Sequence, residues 1–504
     1  MALAAATAPH YRVVIVGAGF SGIGAAIRLR QSGIEDFIVL ERAGEVGGTW
    51  RENSYPGCQC DIPSNLYSYS FAPNPGWSRT HSRQGEIWEY LRNCVKRQRL
   101  EAFIHLNSTV TALHWDVQNG RWRVQTTTGP LTAQVVVAAM GGLSSPKMPK
   151  LDGMGSFGGV AFHSARWRDD CDLRDARVAV VGTGASAIQI VPELARVARA
   201  VDVYQRTPPW IMPHPDRARR RVERTVYRRA PVVQRALRGA SYWGRELVVV
   251  GFRHPRLLGA LERIARRHLR RQVSDGELRA ALTPAYRLGC KRVLLSNDYY
   301  PALAQPHVTL IRQPVAALTP TGVLAGDGSE RPADVVVFAT GFEVTNAPGL
   351  RRIRGRDGRT LAAQWNGRPE AYNGTMVTGF PNFLMLLGPH TGLGHSSVLV
   401  MIEAQIAYLL DFLATLERRD IGSLEVRPEA QTAFVEWVRR RARGTVWEQG
   451  GCASWYLDAD GHTVLWPDFT WRFRRRLRRF DLGSYEARPS RPSCGELQFA
   501  ADDS

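Results

Sequence analysis

Residues 13–29 read VVIVGAGFSGIGAAIRL, in which a run of β-branched residues leads into a glycine-rich turn and then into an alanine-rich segment. The three glycines of the turn, Gly17, Gly19 and Gly22, are spaced as G-x-G-x-x-G. Glycine is needed at such a turn because the backbone must fold tightly and come close to a pyrophosphate at the amino end of the next helix. The stretch therefore predicts a strand, a turn and a helix that together bind a dinucleotide.

A second stretch of the same kind occupies residues 178–191 and reads VAVVGTGASAIQIV. Its turn carries Gly182, Gly184 and Ala187, spaced as G-x-G-x-x-A. One such motif is weak evidence, but two of them in a strand-turn-helix context predict two dinucleotide sites. We therefore expect an α/β protein built from two dinucleotide-binding, Rossmann-like domains.

The residue at the end of the next strand indicates which dinucleotide each turn binds. A carboxylate there accepts hydrogen bonds from free ribose hydroxyls, whereas a guanidinium pairs with a 2′-phosphate. Glu41 follows Gly17 by 24 residues (41 − 17), and Arg206 follows Gly182 by the same interval (206 − 182). The spacing indicates FAD at the first turn and NADPH at the second. The alternative is that both residues are solvated charges at strand ends.

The chain length and the cysteines limit the classes of protein to which this chain can belong. A chain of 504 residues is too long for a single core and predicts two or three domains. The seven cysteines are scattered and include no C-x-x-C pair: Cys58, Cys60, Cys94, Cys171, Cys290, Cys452 and Cys494. This pattern favours reduced thiols in the cytoplasm over a disulfide framework, argues against a disulfide reductase and predicts no metal site.

The remaining segments give no sign of targeting to a membrane. The first ten residues, MALAAATAPH, have no basic lead and no apolar core, so we expect a frayed tail rather than a signal peptide. No apolar run approaches the roughly 18 residues that a spanning helix needs. We therefore expect a cytoplasmic protein without a transmembrane segment.

The formal charge of +20 comes almost wholly from arginine and is densest over residues 217–271. Such a charge is compatible with a nucleic-acid or anionic-membrane surface. Because no aromatic residues are interleaved as a stacking platform, we expect no nucleic-acid partner and interpret the region as a solvated helical face. Its most apolar part, residues 247–252, fits either a buried helix turn or a surface patch on lipid, and of the two we expect burial.

The order of the patterns predicts a discontinuous arrangement of domains. Strand-like runs return at residues 308–311 and 335–338 after the helical region, and by the end of the second run the chain is expected to have returned to the first domain. We expect an FAD-binding domain from residues 1–146 and 334–504, an NADPH-binding domain from residues 147–208 and 286–333, and a helical insertion at residues 209–285. A long helix is expected at about residues 397–416.

Three further motifs stand in a fixed order along the chain. They read Gly47-Gly48-Thr49-Trp50 with Tyr55-Pro56-Gly57 and Asp61, then Phe157-x-Gly159-x-x-x-His163-x-x-x-Trp167, then Ala339-Thr340-Gly341. Over about residues 12–480 the chain resembles the flavoprotein monooxygenases of the Baeyer-Villiger type (class B flavin-dependent monooxygenases). One position departs from that family, because Arg168 stands after the motif tryptophan where proline or aspartate is usual.

The resemblance implies an enzyme that uses FAD, NADPH and O2. It implies insertion of one oxygen atom next to a ketone carbonyl to give an ester or lactone, by way of a C4a-peroxyflavin. One alternative is oxygenation of nitrogen or sulfur in an amine or sulfide. An alternative of another class is a non-catalytic NADP(H)-sensing flavoprotein.

The resemblance also assigns site residues. Arg292 is implied to be catalytic, with Asp61 as its partner, because a fixed cation in a dry site stabilises the oxyanions of this chemistry and a buried guanidinium needs a counterion. Lys291 is implied to join Arg206 and Thr207 around the 2′-phosphate of NADPH. The other cofactor-binding residues that it implies are Gly48, Trp50, Asp61, Thr340 and Gly341.

Other residues are left with structural interpretations. His163 lies between the two nucleotide units, where its hydrogen bonds could hold a hinge or simply support the packed Trp167. The loop that contains His390 and His395 is expected to lie over the flavin or to line the pocket. The tryptophans of the C-terminal part, Trp447, Trp455 and Trp466, are expected either in an apolar substrate pocket or in the core.

Overall fold

The computed structural model describes residues 8–490. The N-terminal tail before residue 8 and Cys494 lie outside the described residues. The strands, in chain order, are β1 (His10–Val16), β2 (Phe37–Leu40), β3 (Ile104–His105), β4 (Val110–Asp116), β5 (Arg121–Thr126), β6 (Gly129–Ala138), β7 (Val160–His163), β8 (Arg177–Val181), β9 (Ala200–Tyr204), β10 (Ile211–Met212), β11 (Leu294–Leu295), β12 (Val308–Ile311), β13 (Val315–Leu318), β14 (Gly322–Ala325), β15 (Glu330–Pro332), β16 (Val335–Phe338), β17 (Ile353–Arg354), β18 (Phe383–Met385), β19 (Ile421–Val426) and β20 (Tyr485–Pro489).

The α-helices, in chain order, are α1 (Phe20–Gln31), α2 (Thr49–Glu52), α3 (Gln84–Arg97), α4 (Ala187–Leu194), α5 (Arg221–Arg229), α6 (Pro231–Arg253), α7 (Gly259–Gln272), α8 (Gly276–Ala281), α9 (Tyr299–Leu303), α10 (Leu361–Trp365), α11 (Val398–Arg418), α12 (Pro428–Ala442), α13 (Val446–Gln449) and α14 (Thr470–Arg476). Short 3-10 helices lie at Glu101–Phe103, Ser164–Arg166, Pro255–Leu258, Pro348–Arg352 and Leu482–Ser484.

The first sheet contains the first glycine-rich unit. Its strand order is β17-β4-β5-β6-β1-β2-β3, and β18 also pairs with β6. The central pairs β1–β2, β1–β6 and β6–β18 are parallel, with Ile15 opposite both Val39 and Val137. These central strands are nearly continuous runs of apolar residues because both faces of the sheet are covered. The predicted strand and helix after the first turn are confirmed as β2 and α1.

The second sheet is parallel throughout and has the order β12-β9-β8-β16-β7. The second glycine-rich turn follows β8 and leads into α4. The predicted two-unit α/β architecture is therefore confirmed. One expectation is wrong: Val335–Phe338, which we assigned to the first domain, lies in the second sheet between β7 and β8. The chain returns to the first sheet only at β17, which pairs with β4.

The predicted helical insertion is present as helices α5 to α8. The apolar stretch inside it differs from expectation, because only part of residues 247–252 is buried. Val249 and Phe252 are buried, whereas Leu247 and Val250 are exposed on the other side of α6. Periodicity alone shows that a helix has two faces, but it does not show which of them meets the core.

The cysteines also differ from expectation at one pair. Cys290 and Cys452 form a disulfide although 162 residues separate them. Cys58, Cys60, Cys94 and Cys171 are free thiols, as expected. Because the pair joins two segments that only the tertiary fold brings together, their spacing in the sequence carries no signal of it.

The expectation that no apolar run approaches the length of a spanning helix is wrong for one element: among the described residues, α11 alone is long and apolar enough to cross a membrane. Of its most apolar 18-residue stretch, 67% is buried inside the protein. It packs against α1 and α14 and contributes to the core that lies between the two sheets.

Candidate active site

The first glycine-rich turn has a backbone that only glycine adopts without strain. Gly17 has φ +107°, and a Cβ atom there would lie 2.7 Å from the carbonyl oxygen of Ala139. A Cβ atom on Gly22 would lie 1.8 Å from the carbonyl oxygen of Gly17. The turn is therefore pressed against the end of β6, and α1 begins directly after it at Phe20.

Glu41 lies at the end of β2, where its carboxylate faces the first turn. One oxygen accepts a hydrogen bond from the backbone N–H of Ala18 at 2.8 Å, and the other accepts one from the N–H of Ala43 at 3.0 Å. A carboxylate has about four acceptor positions, so this arrangement fixes the group and leaves acceptors for ribose hydroxyls. The residue fits the ribose of an unphosphorylated dinucleotide.

The second turn repeats the geometry of the first. Gly182 has φ +114°, and a Cβ atom there would lie 2.6 Å from the carbonyl oxygen of Ala339, at the end of β16. Thr183 donates its hydroxyl to the carbonyl oxygen of Thr207 at 3.0 Å, which ties the turn to the segment after β9. A Cβ atom on Gly184 would have open space within 4 Å, so the backbone there is accessible to a ligand.

Arg206 and Lys291 are two neighbouring cations at the cavity wall, and the ammonium group of Lys291 lies 5.1 Å from the centre of the Tyr286 ring. Neither has an acidic partner among the described residues. Burial first, and then the neighbouring charge of Arg206, lower the pKa of Lys291 from its ordinary value. Two adjacent cations without a counterion fit a doubly charged phosphate, as the prediction for NADPH requires.

Both turns open into one cavity of about 1230 Å³. The cavity is larger than the roughly 300–1,000 Å³ of an ordinary small-ligand site, which fits a space shared by two dinucleotides. The predicted site residues that line it are Gly17, Gly19, Glu41, Gly48, Trp50, Asp61, Gly182, Gly184, Arg206, Thr207, Lys291, Arg292, Thr340 and Gly341.

Two predicted cofactor-binding residues do not line this cavity. Gly22 and Ala187 are buried, with Gly22 inside α1 and Ala187 at the first position of α4. Their small size permits close packing of helix against strand, and it is the other positions of each turn that face the cavity. The structure therefore places these two residues in the packing of the turns and not at the cavity wall.

Arg292 and Asp61 meet at the wall of the cavity. The Arg292 Nε atom lies 2.6 Å from Asp61 Oδ2, and its Nη2 atom lies 2.7 Å from Oδ1, so the pair is bidentate. Their side chains are 30% and 28% exposed, and both line the cavity. Burial alone would raise the pKa of Asp61, but the charge and hydrogen bonds of Arg292 lower it below its ordinary value. Burial alone would lower the pKa of Arg292, and Asp61 raises it.

A third charged residue, Arg245, lies behind this pair and was missed by sequence reasoning. It projects inward from α6, donating to the carbonyl oxygen of His395 at 3.0 Å and to that of Asp61 at 3.3 Å. Burial is the main cause that lowers its pKa. The residue belongs to no motif, and its position inside an apolar helix segment was the sole signal in the sequence.

The loop at residues 389–397 lies over the cavity, as expected. Thr391, Leu393 and Ser396 line the cavity. His395 is buried and its Nε2 atom lies 3.3 Å from the carboxylate of Glu246 on α6, so the insertion holds the loop in place. Among the C-terminal tryptophans, Trp455 lines the cavity, whereas Trp447 and Trp466 are core residues.

His163 connects two of the sequence motifs. Its Nδ1 atom accepts a hydrogen bond from the backbone N–H of Ala165, so Nε2 carries the proton and donates to the carbonyl oxygen of Gly341 at 2.9 Å. Burial lowers its pKa, which favours this neutral form. The residue therefore clamps β7 to the turn after β16 and does not line the cavity.

Comparison with known proteins supports the family that the sequence motifs indicate. The chain is 49% identical to a Baeyer-Villiger monooxygenase of Streptomyces coelicolor, over 98% of this chain and 96% of that protein. It is 48% identical to a Baeyer-Villiger monooxygenase of Pseudomonas aeruginosa, over 95% of this chain and 92% of that protein. The chain belongs to the Baeyer-Villiger monooxygenase family. The family, fold class and enzyme class predicted from the sequence are confirmed.

Two further comparisons concern the fold. A solved structure of OTEMO in complex with FAD and NADP superimposes with a TM-score of 0.85, at 26% identity, over 96% of this chain and 100% of that chain. A family model described as pyridine nucleotide-disulphide oxidoreductase matches residues 14–229. The match covers both glycine-rich units, while the sequence has none of the C-x-x-C pairs that a disulfide reductase commonly uses.

Proposed function

We propose that this monooxygenase uses NADPH and O2 to insert an oxygen atom next to a ketone carbonyl, giving an ester or lactone, with Arg292 and Asp61 as its catalytic residues. The observation that supports this proposal is the bidentate ion pair at the wall of a cavity shared by both glycine-rich turns. A guanidinium held in this way keeps its position and its charge at any working pH.

FAD fits the first turn. Gly17 and Gly19 would allow its pyrophosphate to approach the backbone and the amino end of α1, and Glu41 would accept hydrogen bonds from its ribose. Gly48 and Trp50 line the same part of the cavity, and Trp50 is fixed by a hydrogen bond from its Nε1 atom to the Tyr67 hydroxyl at 3.1 Å. When bound, the flavin supplies the redox chemistry, accepting hydride from NADPH and activating O2.

NADPH fits the second turn. Gly182 and Gly184 leave room for its pyrophosphate, while Arg206, Lys291 and Thr207 would surround its 2′-phosphate. The backbone of Thr207 is held by Thr183, so the phosphate-binding segment and the turn are positioned together. Because Arg206 and Lys291 have no acidic partner among the described residues, they would favour a phosphate there over a free hydroxyl.

Arg292 lowers the energy of oxygen atoms that become negative during the insertion. A fixed donor of this kind contributes on the order of 3 kcal/mol to a transition state in a site without bulk water. Asp61 prevents the guanidinium from turning away and compensates its burial. The 389–397 loop and Trp455 line the cavity, where they would limit the access of water to a bound substrate.

Oxygenation of a sulfide or amine is the competing reaction within this enzyme class. It creates no oxyanion from a carbonyl group, so it does not need Arg292 in the same way. The site therefore favours ketones as substrates, and the apolar lining around Trp455 favours ketones with apolar substituents.

The FAD-loaded enzyme is to be tested with linear, cyclic and aryl ketones alongside matched sulfides, in the presence of NADPH and ¹⁸O₂. NADPH consumption and product mass are to be measured together. We expect an ester or lactone that carries one ¹⁸O atom from at least one ketone. Sulfoxide formation without any ester would contradict the proposal and support heteroatom oxygenation.

We also propose the domain limits and the location of the protein. The pairing of β16 supports an NADPH-binding domain that continues to Phe338, with the FAD-binding domain resuming from there. A dependence on NADPH favours the cytoplasm, and so do the four free thiols outside the Cys290–Cys452 disulfide. Limited proteolysis and cell fractionation test the two proposals.

A further inference from the structure

Helix α6 exposes a row of apolar side chains on the side that faces away from the protein. Val233, Leu237, Ala240, Trp243, Leu247 and Val250 recur at three- and four-residue intervals and are all exposed. Trp243 is 59% exposed and Leu247 is 71% exposed. The opposite side is mixed: it carries Tyr242, Val249 and Phe252, which are buried, and also Gln234, Arg238, Arg245 and Glu246, which are hydrogen-bonded inside the protein. A surface helix usually turns its polar side to the solvent, whereas α6 exposes an apolar row and holds charged residues inside.

The exposed apolar residues are concentrated in the insertion. Sixteen large apolar side chains are exposed in the described chain, and ten of them lie between residues 222 and 264. In addition to those on α6, they include Val222 and Val226 on α5, Leu257 after α6 and Ile264 on α7. Scattered exposed apolar residues are ordinary, but a concentration of this kind indicates a surface that binds a partner. We call these ten residues the insertion face.

The same segment carries most of the positive charge. Residues 217–271 contain seventeen arginines and three glutamates, a net charge of +14 out of +20 for the whole chain. None of the three glutamates is exposed: Glu246 and Glu262 are buried, and Glu223 is bound by Arg217. Arg228 and Arg229 precede α6 and Arg256 follows it, and all three are exposed. The exposed apolar row of α6, which we call the apolar stripe, is therefore flanked by arginines at both ends. No glutamate of this segment is exposed to pair with them.

We propose that the insertion face docks on the surface of an anionic lipid bilayer, with α6 lying along the membrane. An apolar stripe containing a tryptophan and flanked by arginines is the pattern of an interfacial helix. Anionic headgroups supply the counterions that the protein lacks, while the stripe enters the boundary between headgroups and acyl chains. Docking is peripheral, because polar residues bind the other side of α6 to the protein.

Two other occupants fit the chemistry less well. A second copy of the chain would place two strongly positive surfaces against each other without acidic residues between them. A nucleic acid would neutralise the arginines, but it would leave the apolar stripe with no partner and a single tryptophan for stacking. An anionic bilayer provides counterions for the arginines and an apolar environment for the apolar stripe at the same time. The proposal is independent of the proposed reaction, because it concerns residues outside the cavity.

The test is co-flotation of the full-length, FAD-loaded protein with vesicles. Vesicles of phosphatidylcholine with phosphatidylglycerol are to be compared with vesicles of phosphatidylcholine alone, at low and high salt. We expect binding to the anionic vesicles and a decrease at high salt, because the arginine charges are screened. The variant Leu237→Ser/Trp243→Ser/Leu247→Ser should lower the bound fraction about tenfold.

A matched control keeps the test specific. Leu106, Val117 and Val197 are also exposed but lie outside the insertion face. The variant Leu106→Ser/Val117→Ser/Val197→Ser should bind vesicles as the wild type does. Both variants should retain FAD and the wild-type rate of NADPH oxidation, since none of their residues lines the cavity.

Any of three results would contradict the proposal. The first is that the wild type fails to float with anionic vesicles, and the second is that the insertion-face variant floats as well as the wild type. In the third case, light scattering shows a wild-type dimer that the insertion-face variant converts to a monomer, which would make the face a contact between two copies.

Discussion

The guanidinium of Arg245 donates a hydrogen bond to the backbone carbonyl oxygen of Asp61, the residue whose side chain holds Arg292. The helical insertion thus reaches the cavity wall from behind and supports Asp61, the acidic member of the proposed catalytic pair. A second hydrogen bond from Arg245 holds the carbonyl oxygen of His395, so one side chain positions both Asp61 and the loop over the cavity.

We predict that Arg245→Met lowers kcat for ester formation about tenfold, because a residue that orients a proposed catalytic side chain commonly contributes this much. Arg238→Met is the matched control, because Arg238 lies on the same helix and also donates to backbone carbonyl oxygens, those of Asn65 and Ser68, but away from Asp61. Steady-state kinetics and Tm are to be measured for both. If kcat falls equally in the two variants, Arg245 has no specific positioning role.

The phosphate site gives a prediction about coenzyme preference. Arg206→Ala should raise KM for NADPH about tenfold or more and leave KM for NADH nearly unchanged, because a charge-assisted contact with the 2′-phosphate is lost. Arg199→Ala is the control, since Arg199 is exposed after α4 and does not line the cavity. An unaltered preference for NADPH over NADH in Arg206→Ala would contradict the assignment.

The motifs that could be predicted from the sequence are those whose chemistry is local. The two glycine-rich turns, and the charges at the ends of β2 and β9, depend on backbone geometry within a few dozen residues. Arg292 and Asp61 could be named only through the resemblance, since spacing does not show that residues so far apart form an ion pair.

Features that depend on tertiary contacts could not be predicted in the same way. Val335–Phe338 is a strand in any sheet, but its pairing with β7 and β8 is decided by packing. The outward apolar side of α6 depends on Arg238, Arg245 and Glu246 finding partners inside the protein, and the helical pattern alone fits either orientation. The Cys290–Cys452 disulfide could not be predicted either, because only the tertiary fold brings the two cysteines together.

A buried histidine predicts how stability changes with pH. Burial, with a smaller contribution from Arg439, lowers the pKa of His390 to about 4, while the unfolded chain binds a proton there near pH 6.5. Stability from the neutral ring is fully present above about pH 6.5 and is lost as the pH falls toward 4. The loss should reach about 2 kcal/mol at pH 5.

His390→Asn tests this prediction, because asparagine cannot titrate and tolerates the φ of +60° at this position. The decrease in Tm from pH 8 to pH 5 should be smaller in this variant than in the wild type. His254→Asn, which changes an exposed histidine after α6, should retain the wild-type decrease. Equal decreases in all three proteins would show that His390 is not the group that titrates.

The central claim is that Arg292 acts in oxygen insertion and not in reduction of the flavin. The bidentate pair Arg331–Asp202 lies outside the cavity and provides a matched control, Arg331→Ala, for loss of a similar ion pair. The most direct measurement compares the rate of flavin reduction by NADPH, followed by stopped-flow absorbance, with the ester formed per NADPH consumed. For Arg292→Ala we predict reduction within about twofold of the wild type and an ester yield at least about a hundredfold lower. Wild-type ester yield per NADPH in Arg292→Ala would contradict the account.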